Sequence, residues 1–283
     1  MAARVGTAAP FAQPLRLSTS YACGVAMPTP EALERVLFAA VDTESDSEVI
    51  DRRDWLQIRT PSSSRPNHNV VLRARLAPEH VEETVAEVIA EHRARNARVR
   101  WVVGPSSSPA DLGVTLEAAG LGGMGHTLGM AMLVPNEDRP LGIAGLTLEA
   151  MRPSNLATFA DVTTRGWERG ADFKEAILHI SRKALTEAAP TRSWIARLDG
   201  NAIATSHLRL LPDMGYFQGC AVLPAYRGRG IYRALLNHRL AELRARGIGI
   251  AVVWADAAGS GIACRKLGFE TVCTAGFYES PGE

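Results

Sequence analysis

From Pro30 onward the apolar positions of the chain fall into two rhythms. Ala32, Leu33, Val36, Leu37 and Ala40 recur at three- and four-residue spacing, which gathers them on one face of a helix. Two short runs follow, 54–58 and 69–76, rich in Val, Ile, Leu and Trp and separated by a Ser/Pro cluster at 61–66. They predict a pair of antiparallel strands. Pro78 suits a first helical turn, and Val81, Val85, Val88 and Ile89 mark one face of a helix reaching about Asn96. A buried strand is predicted at 99–103. Ser108 stands where a helix cap is needed before Leu112 and Leu116, Gly120 stops that helix, and a strand at 127–134 closes the unit.

Residues 136–145 hold Asn, Asp, Pro and Gly and read as a linker between this unit, 30–135, and a second, 146–283. The second begins with a strand at 146–151, a helix at 155–164, a polar loop around Trp167 and a helix at 174–188. A hairpin follows, 194–198 with 202–210, because Asp199-Gly200-Asn201 supplies the positive backbone angles of a tight turn. A strand at 216–222, a helix at 231–246, a strand at 250–255, a helix at 260–267 and a strand at 271–278 complete the pattern. Alternating strands and helices of this kind predict an α/β fold on a mixed sheet. Residues 1–29, rich in Ala, Pro and Ser without a period, read as a loose leader, with Met27 as an alternative start.

The two units repeat each other. A strand ending before Pro78 leads to a long helix, a Trp-bearing strand, a shorter helix and Ala119-Gly120-Leu121; a strand ending before Pro224 leads to a long helix, a strand with Trp254, a shorter helix and Leu267-Gly268-Phe269. They differ in the turn after the proline. The first copy has Glu79-His80-Val81-Glu82-Glu83, whose carboxylates suit a helix start but repel an anion. The second has Ala225-Tyr226-Arg227-Gly228-Arg229-Gly230. A helix start leaves backbone N–H groups unpaired and carries roughly half a positive charge, so this turn can cradle a phosphate. Gly228 and Gly230 let the main chain approach, Arg227 and Arg229 add charge at the rim, and Ile231, Leu235, Leu236, Leu240 and Leu243 anchor the helix. A basic flexible loop is the alternative.

Val222-Leu223-Pro224, the turn Arg227 to Tyr232, the following helix and strand, and Leu267-Gly268-Phe269 together resemble the GNAT superfamily of N-acetyltransferases over about 146–283. The resemblance implies a tandem GNAT-like acyl-CoA N-acyltransferase fold whose first copy is degenerate and whose second is complete. It further implies that the turn, with Arg233 beyond it, binds the pyrophosphate of acetyl-CoA as cosubstrate. Tyr232 departs from the pattern, standing where Gly or Ala is usual, and would crowd the phosphate or point away. The resemblance also places Cys220, Ala221 and Val222 on a strand splayed from 250–255, the pantetheine arm pairing along it and the Val222 N–H steadying the oxyanion. An amine would attack the thioester directly.

The remaining roles stay open at this level. The thiolate-protonating Tyr frequent in the family falls on Cys264, which is either a donor or a small core residue; Ser260 or water would substitute. His207 is a candidate base or a structural histidine, and Asp256 a base or a helix cap. Tyr216 and Glu168 are further candidates. Trp167 and Phe173 either contact the acceptor or pack in the core.

Composition narrows the partners. With 31 Lys and Arg against 30 Asp and Glu, no net field draws the chain to nucleic acid or an anionic membrane, which disfavours a nucleic-acid-binding role for the arginines. A small-molecule or peptide amine acceptor is expected, with a monomer or homodimer. Cys23, Cys220, Cys264 and Cys273 form neither CxxC pairs nor a metal-type cluster with the seven histidines, so reduced thiols, no metal and a cytoplasmic location are expected. No run approaches the ~18 apolar residues of a membrane span. An acetyl-CoA-binding sensor or scaffold without turnover is the competing function.

Overall fold

The computed structural model describes residues 26–39, 41, 43–137, 140–185 and 190–281; most of the expected leader, residues 1–25, lies outside them, as do 186–189 of the helix expected at 174–188. The first unit comprises α1 (Pro30–Ala39), β1 (Glu48–Asp51), β2 (Leu56–Arg59), β3 (Val70–Leu72), α2 (Val81–Arg93), β4 (Arg100–Val103), α3 (Leu112–Ala118) and β5 (Gly122–Leu133). The second comprises β6 (Leu146–Ala150), α4 (Leu156–Gly166), α5 (Ala171–Lys183), β7 (Thr191–Leu198), β8 (Asn201–Leu210), β9 (Gly215–Tyr216), β10 (Cys220–Val222), α6 (Ile231–Ala245), β11 (Ile250–Asp256), α7 (Ser260–Lys266) and β12 (Glu270–Glu279).

All twelve strands join one mixed sheet, ordered β1-β2-β3-β4-β12-β5-β11-β9-β8-β7-β6, with β10 paired to β8. β2 and β3 pair antiparallel as their apolar runs suggest, while β3 with β4 and β9 with β11 are parallel. The units exchange their last strands. β12, from the end of the chain, lies between β4 and β5, and β5 lies between β12 and β11. Each unit thus completes the other's sheet, which the order of elements along the chain does not announce. β5 is accordingly longer than the run that predicts it.

Helices cover both faces. On one, α6 and α7 bury Leu236, Leu240, Leu243 and Cys264 against Leu128, Met130, Val253 and Ala255, while α2 and α3 bury Val81, Val85, Leu112 and Leu116 against Trp101 and Tyr278. On the other, α1 sets Leu33 and Val36 on Ala131 and Val252, and α4 sets Phe159 and Ala160 on Ile195. The linker is held along α6: Leu141 and Ile143 pack beside Ile231 and Leu235, and Arg244 donates to the carbonyls of Pro135 and Glu137. Among the described residues, no helix is long and apolar enough to cross a membrane.

Candidate functional site

A continuous strand is expected at 216–222, but the chain breaks it in two. Tyr216 pairs with Val252 and the Phe217 N–H donates to the Val252 carbonyl at 2.8 Å, after which pairing with β11 ends. Gly219, at φ +62°, redirects the backbone, and β10 runs on against β8 alone. A gap opens between β10 and the carboxyl end of β11. The His207 N–H donates to the Gly219 carbonyl and the Leu223 N–H to the Ile203 carbonyl, so the hydrogen-bonded positions facing β8 are 219, 221 and 223. By the alternation of an antiparallel ladder, the main-chain groups of Cys220 and Val222 point away from β8, toward the gap.

Two of those groups already have partners. Trp167 Nε1 donates to the Cys220 carbonyl at 3.1 Å, and Arg227 Nε donates to the Val222 carbonyl at 3.2 Å. The Arg227 fork also donates to the Gly166 carbonyl at 2.7 Å and to Glu168 at 3.0 Å. Arg227 therefore clamps β10 to the end of α4 and is not a free charge at the rim, a correction to its expected place. Close approach makes this clamp possible: a Cβ on Gly166 would stand 2.9 Å from Ala221 Cβ and 3.2 Å from the Val222 nitrogen. Trp167 and Phe173 pack ring to ring at 5.4 Å, Trp167 remaining exposed, and Glu168 is exposed with φ +55°.

Beyond β10, a short 3-10 turn, Pro224–Tyr226, leads into the glycine turn. Gly228 and Gly230 take φ +76° and +81°, angles that cost other residues about 1–2 kcal/mol. No side chain caps α6 and its first turn is free of acid, so the N–H groups of Ile231, Tyr232 and Arg233 face an unblocked end. In the first unit the corresponding 3-10 turn, Pro78–His80, runs straight into α2, with Glu82 and Glu83 in the first helical turn. Only the second copy has the geometry of an anion cradle. Arg229 lies over the Tyr226 ring at 5.3 Å, and Arg233 is exposed.

Tyr232 does not crowd the cradle. Its ring turns back against the core beneath α6, and its hydroxyl meets Cys264 Sγ of α7 at 3.3 Å. Burial pushes the Tyr232 phenol and the Cys264 thiol up, and the Cys220 thiol to about 11; the Arg239 cation opposes all three shifts. The sequence offers Arg239 only among the arginines of the disfavoured nucleic-acid-binding role, not as part of the site. It is fully buried on α6, its guanidinium 4.3 Å from the Phe217 ring centroid and bonded to the Leu235 and His207 carbonyls, with Nη2 lacking a partner among the described residues. Its signal was present: an Arg within the apolar stripe formed by Leu235, Leu236, Leu240 and Leu243.

The other candidates divide. His207 sits on the α4 face of β8, beside Gly219 and the edge of Phe159, with Nδ1 2.8 Å from Ser193 Oγ. Burial, aided by Arg239, lowers its pKa to about 4, so the imidazole is neutral at pH 7. Tyr216 is buried under α1 with Leu33 and Val36, its pKa raised by burial to about 12; it cannot meet an acceptor, contrary to expectation. Asp256 is exposed at the end of β11, its N–H donating to Ser260 Oγ and its carboxylate folded over Gly259, which is the geometry of a turn. Among the described residues, no group of three or more His, Cys, Asp or Glu could hold a metal.

The His207 shift predicts an acid-sensitive fold. The unfolded chain binds a proton near pH 6.5 and the folded chain only near 4, so stability is full above about 6.5 and falls as pH drops toward 4. The loss is on the order of 3 kcal/mol, read as melting temperature against pH. His207→Gln should flatten that limb; an unchanged limb would assign it to other groups.

A model of the acetyltransferase (GNAT) family matches residues 156–269. No curated protein sequence matches the chain. Among solved structures, a GCN5-related N-acetyltransferase from Kribbella flavida is similar with a TM-score of 0.61 at 16% identity, covering 91% of this chain and 98% of that one. A functionally unknown conserved protein from Staphylococcus epidermidis gives 0.66 at 10% identity, over 84% and 95%. A tandem GNAT protein from the clavulanic acid biosynthesis pathway gives 0.59 at 15% identity, over 89% of each chain. At these identities the structural likeness speaks to fold. Taken with the family match, the splayed β10 and the glycine turn, it makes residues 156–269 a domain of the acetyltransferase (GNAT) family, whose chemistry is acyl transfer, in a chain folded like a tandem GNAT protein.

Proposed function

We propose that this protein is an N-acetyltransferase that moves an acetyl group from acetyl-CoA to a primary amine by direct attack. The observation that carries the reading is the continuity of β10, the Gly228–Gly230 turn and α6, which aligns strand-edge N–H groups with an unblocked helix start. The turn and the amides of Ile231, Tyr232 and Arg233 would hold the diphosphate, as anions are held at helix starts. The Val222 N–H, directed into the gap, would receive the developing oxyanion. His207, neutral beside Gly219, is a weak proton acceptor at a pKa of about 4, so the amine would attack in its neutral form and its proton would pass to solvent. Trp167 and Phe173 line the approach on the α4 face and favour an amine with apolar or aromatic character. No covalent intermediate is needed.

A second reading is favoured by one observation. Cys264, at the position of the family's thiolate-protonating Tyr, is fully buried and bonded to the Tyr232 hydroxyl, as suits a protein that binds coenzyme without turning it over. Free-thiol release from acetyl-CoA across polyamines, aminoglycosides, arylalkylamines and peptide N-termini separates the two. Stimulation by at least one amine is expected. A coenzyme-dependent rise in melting temperature with no stimulated release across the panel would retire the enzyme in favour of the sensor.

A further inference from the structure

The carboxyl end of β4 opens on a second hollow, in the first unit. β4 pairs with β12 only as far as Val103 with Gly276. Beyond it, residues 104–108 swing the other way: the Ser108 N–H donates to the Ala74 carbonyl at 2.8 Å and the Leu76 N–H to the Ser108 carbonyl at 3.0 Å. These bonds close the first unit's counterpart of the gap between β10 and β11 with the chain's own loop, and they vacate the space beside β12. What remains is a cleft of about 540 Å³ between α3, β12, the start of β5 and Pro30 of α1. It has the size of a small-molecule site and lies at the strand end where open α/β sheets hold ligands. None of its lining residues belongs to β10, β11 or α6.

The polar groups of this cleft are unspent. Tyr278 is 9% exposed, and its hydroxyl has no hydrogen-bond partner among the described residues. A Cβ on Gly276 would stand 3.4 Å from that hydroxyl and 3.4 Å from His126 Nδ1, so phenol and imidazole converge over this glycine. Asp111, exposed at the head of α3, spends no side-chain bond on capping the helix. Gly104 forms part of the floor, and behind it sits Glu34 of α1, 1% exposed. One Glu34 oxygen accepts the Ser106 N–H at 3.0 Å; the other, Oε1, lies against Gly104 with no partner among the described residues. A carboxylate buried with an oxygen unpaired is costly, and the low-dielectric wall carries its field into the cleft. Cys273, also lining the cleft, registers that field: burial, then Glu34 and Glu31, push its thiol up to about 11.

Among the described residues, no lysine or arginine lines the cleft, and its rim carries Pro30, Pro105 and Val114. An anion would meet two carboxylates there, and an uncharged molecule would leave both without a counter-charge. We infer that this cleft binds a small organic amine in its charged form, the ammonium toward Asp111 and the Tyr278 hydroxyl and the apolar body against the prolines and Val114. The site goes beyond the acetyl-transfer reading and does not depend on it.

Phenethylamine is the probe, titrated into the full chain with 15N-labelled histidines at about pH 8, where an ordinary imidazole is neutral and an aliphatic amine charged. The His126 imidazole resonance, assigned with His126→Gln, should shift saturably. Phenethyl alcohol and 3-phenylpropionate, which keep the ring without the cation, should bind at least about tenfold more weakly. Asp111→Asn changes an exposed side chain and should weaken the amine about tenfold; Glu34→Gln, which keeps an acceptor for the Ser106 N–H, and Tyr278→Phe should each weaken it about threefold or more. Trp167→Ala should leave the His126 shift unchanged, which separates this cleft from binding on the α4 face. A His126 resonance unmoved at millimolar amine, alcohol bound as tightly as amine, or wild-type affinity in both Asp111→Asn and Glu34→Gln overturns the proposal. The coenzyme-dependent rise in melting temperature tests the acetyl-transfer reading separately.

Discussion

Gly230→Glu is expected to abolish the thermal stabilisation that acetyl-CoA confers on the wild type. At a coenzyme concentration of about 100 times Kd the native state gains about 2.7 kcal/mol, which for a chain of this size is roughly 5–10 °C in melting temperature. Gly230 holds φ +81° as the residue capping α6, and the nearest atom to a Cβ there would be Ile143 Cδ1 at 3.8 Å. Room for a side chain therefore exists, and the unliganded protein loses only the cost of the left-handed backbone, about 1–2 kcal/mol. The carboxylate, however, sits at the end of the helix where the diphosphate needs positive potential. Gly230→Ala separates the effects: it carries the backbone cost without the charge and should keep most of the coenzyme shift. If Gly230→Glu and wild type rise equally, the glycine turn is not the anion site.

The order of strands and helices in both units was legible from apolar spacing because each element buries one face or one stripe. The pairing of β2 with β3 and of β7 with β8 follows from short connections and turn residues. The exchange of β5 and β12 was not legible. Nothing in the pattern of β12 distinguishes a neighbour from its own unit from one in the other, since side-chain alternation sets which face is buried and not which strand lies alongside. The division of 216–222 into β9 and β10 was equally hidden, because Gln218-Gly219 reads as an ordinary interruption until the Gly219 angle and the loss of pairing beyond Val252 show the chain leaving the sheet.

For the site, local sequence located the glycine turn, where backbone conformation depends on the glycines themselves. It failed where function depends on direction. Arg227 and Tyr232 belong to the expected turn, yet one faces β10 and α4 and the other faces Cys264 of α7. Tyr216 lies one residue before the strand's departure, and alternation alone puts it beneath α1. Trp167 and Arg227 hold the strand edge that the coenzyme needs, so coenzyme entry on the proposed path requires these two contacts to exchange for contacts with the pantetheine arm.

Arg239 is the residue whose replacement should separate stability from chemistry most clearly. It is a cation with 1% exposure, two long bonds to carbonyls at 3.3 Å, an aromatic face and, among the described residues, no carboxylate partner. Burying such a charge is costly, so a side chain of similar length without the charge relieves a penalty as it removes the contacts. Arg239→Met should accordingly leave stability within about 1 kcal/mol of wild type, whereas Arg239→Ala, which opens a cavity beneath α6, should cost about 2–4 kcal/mol. Two titrations should move together in the Met variant. His207, freed of a neighbouring cation, should protonate closer to its ordinary value, so the acid limb of stability becomes shallower; Tyr232, losing the same cation, should become a weaker acid. Both changes should appear at a nearly unchanged melting temperature near neutral pH. Unmoved His207 and Tyr232 titrations in a well-folded Arg239→Met would mean that the buried cation serves packing alone.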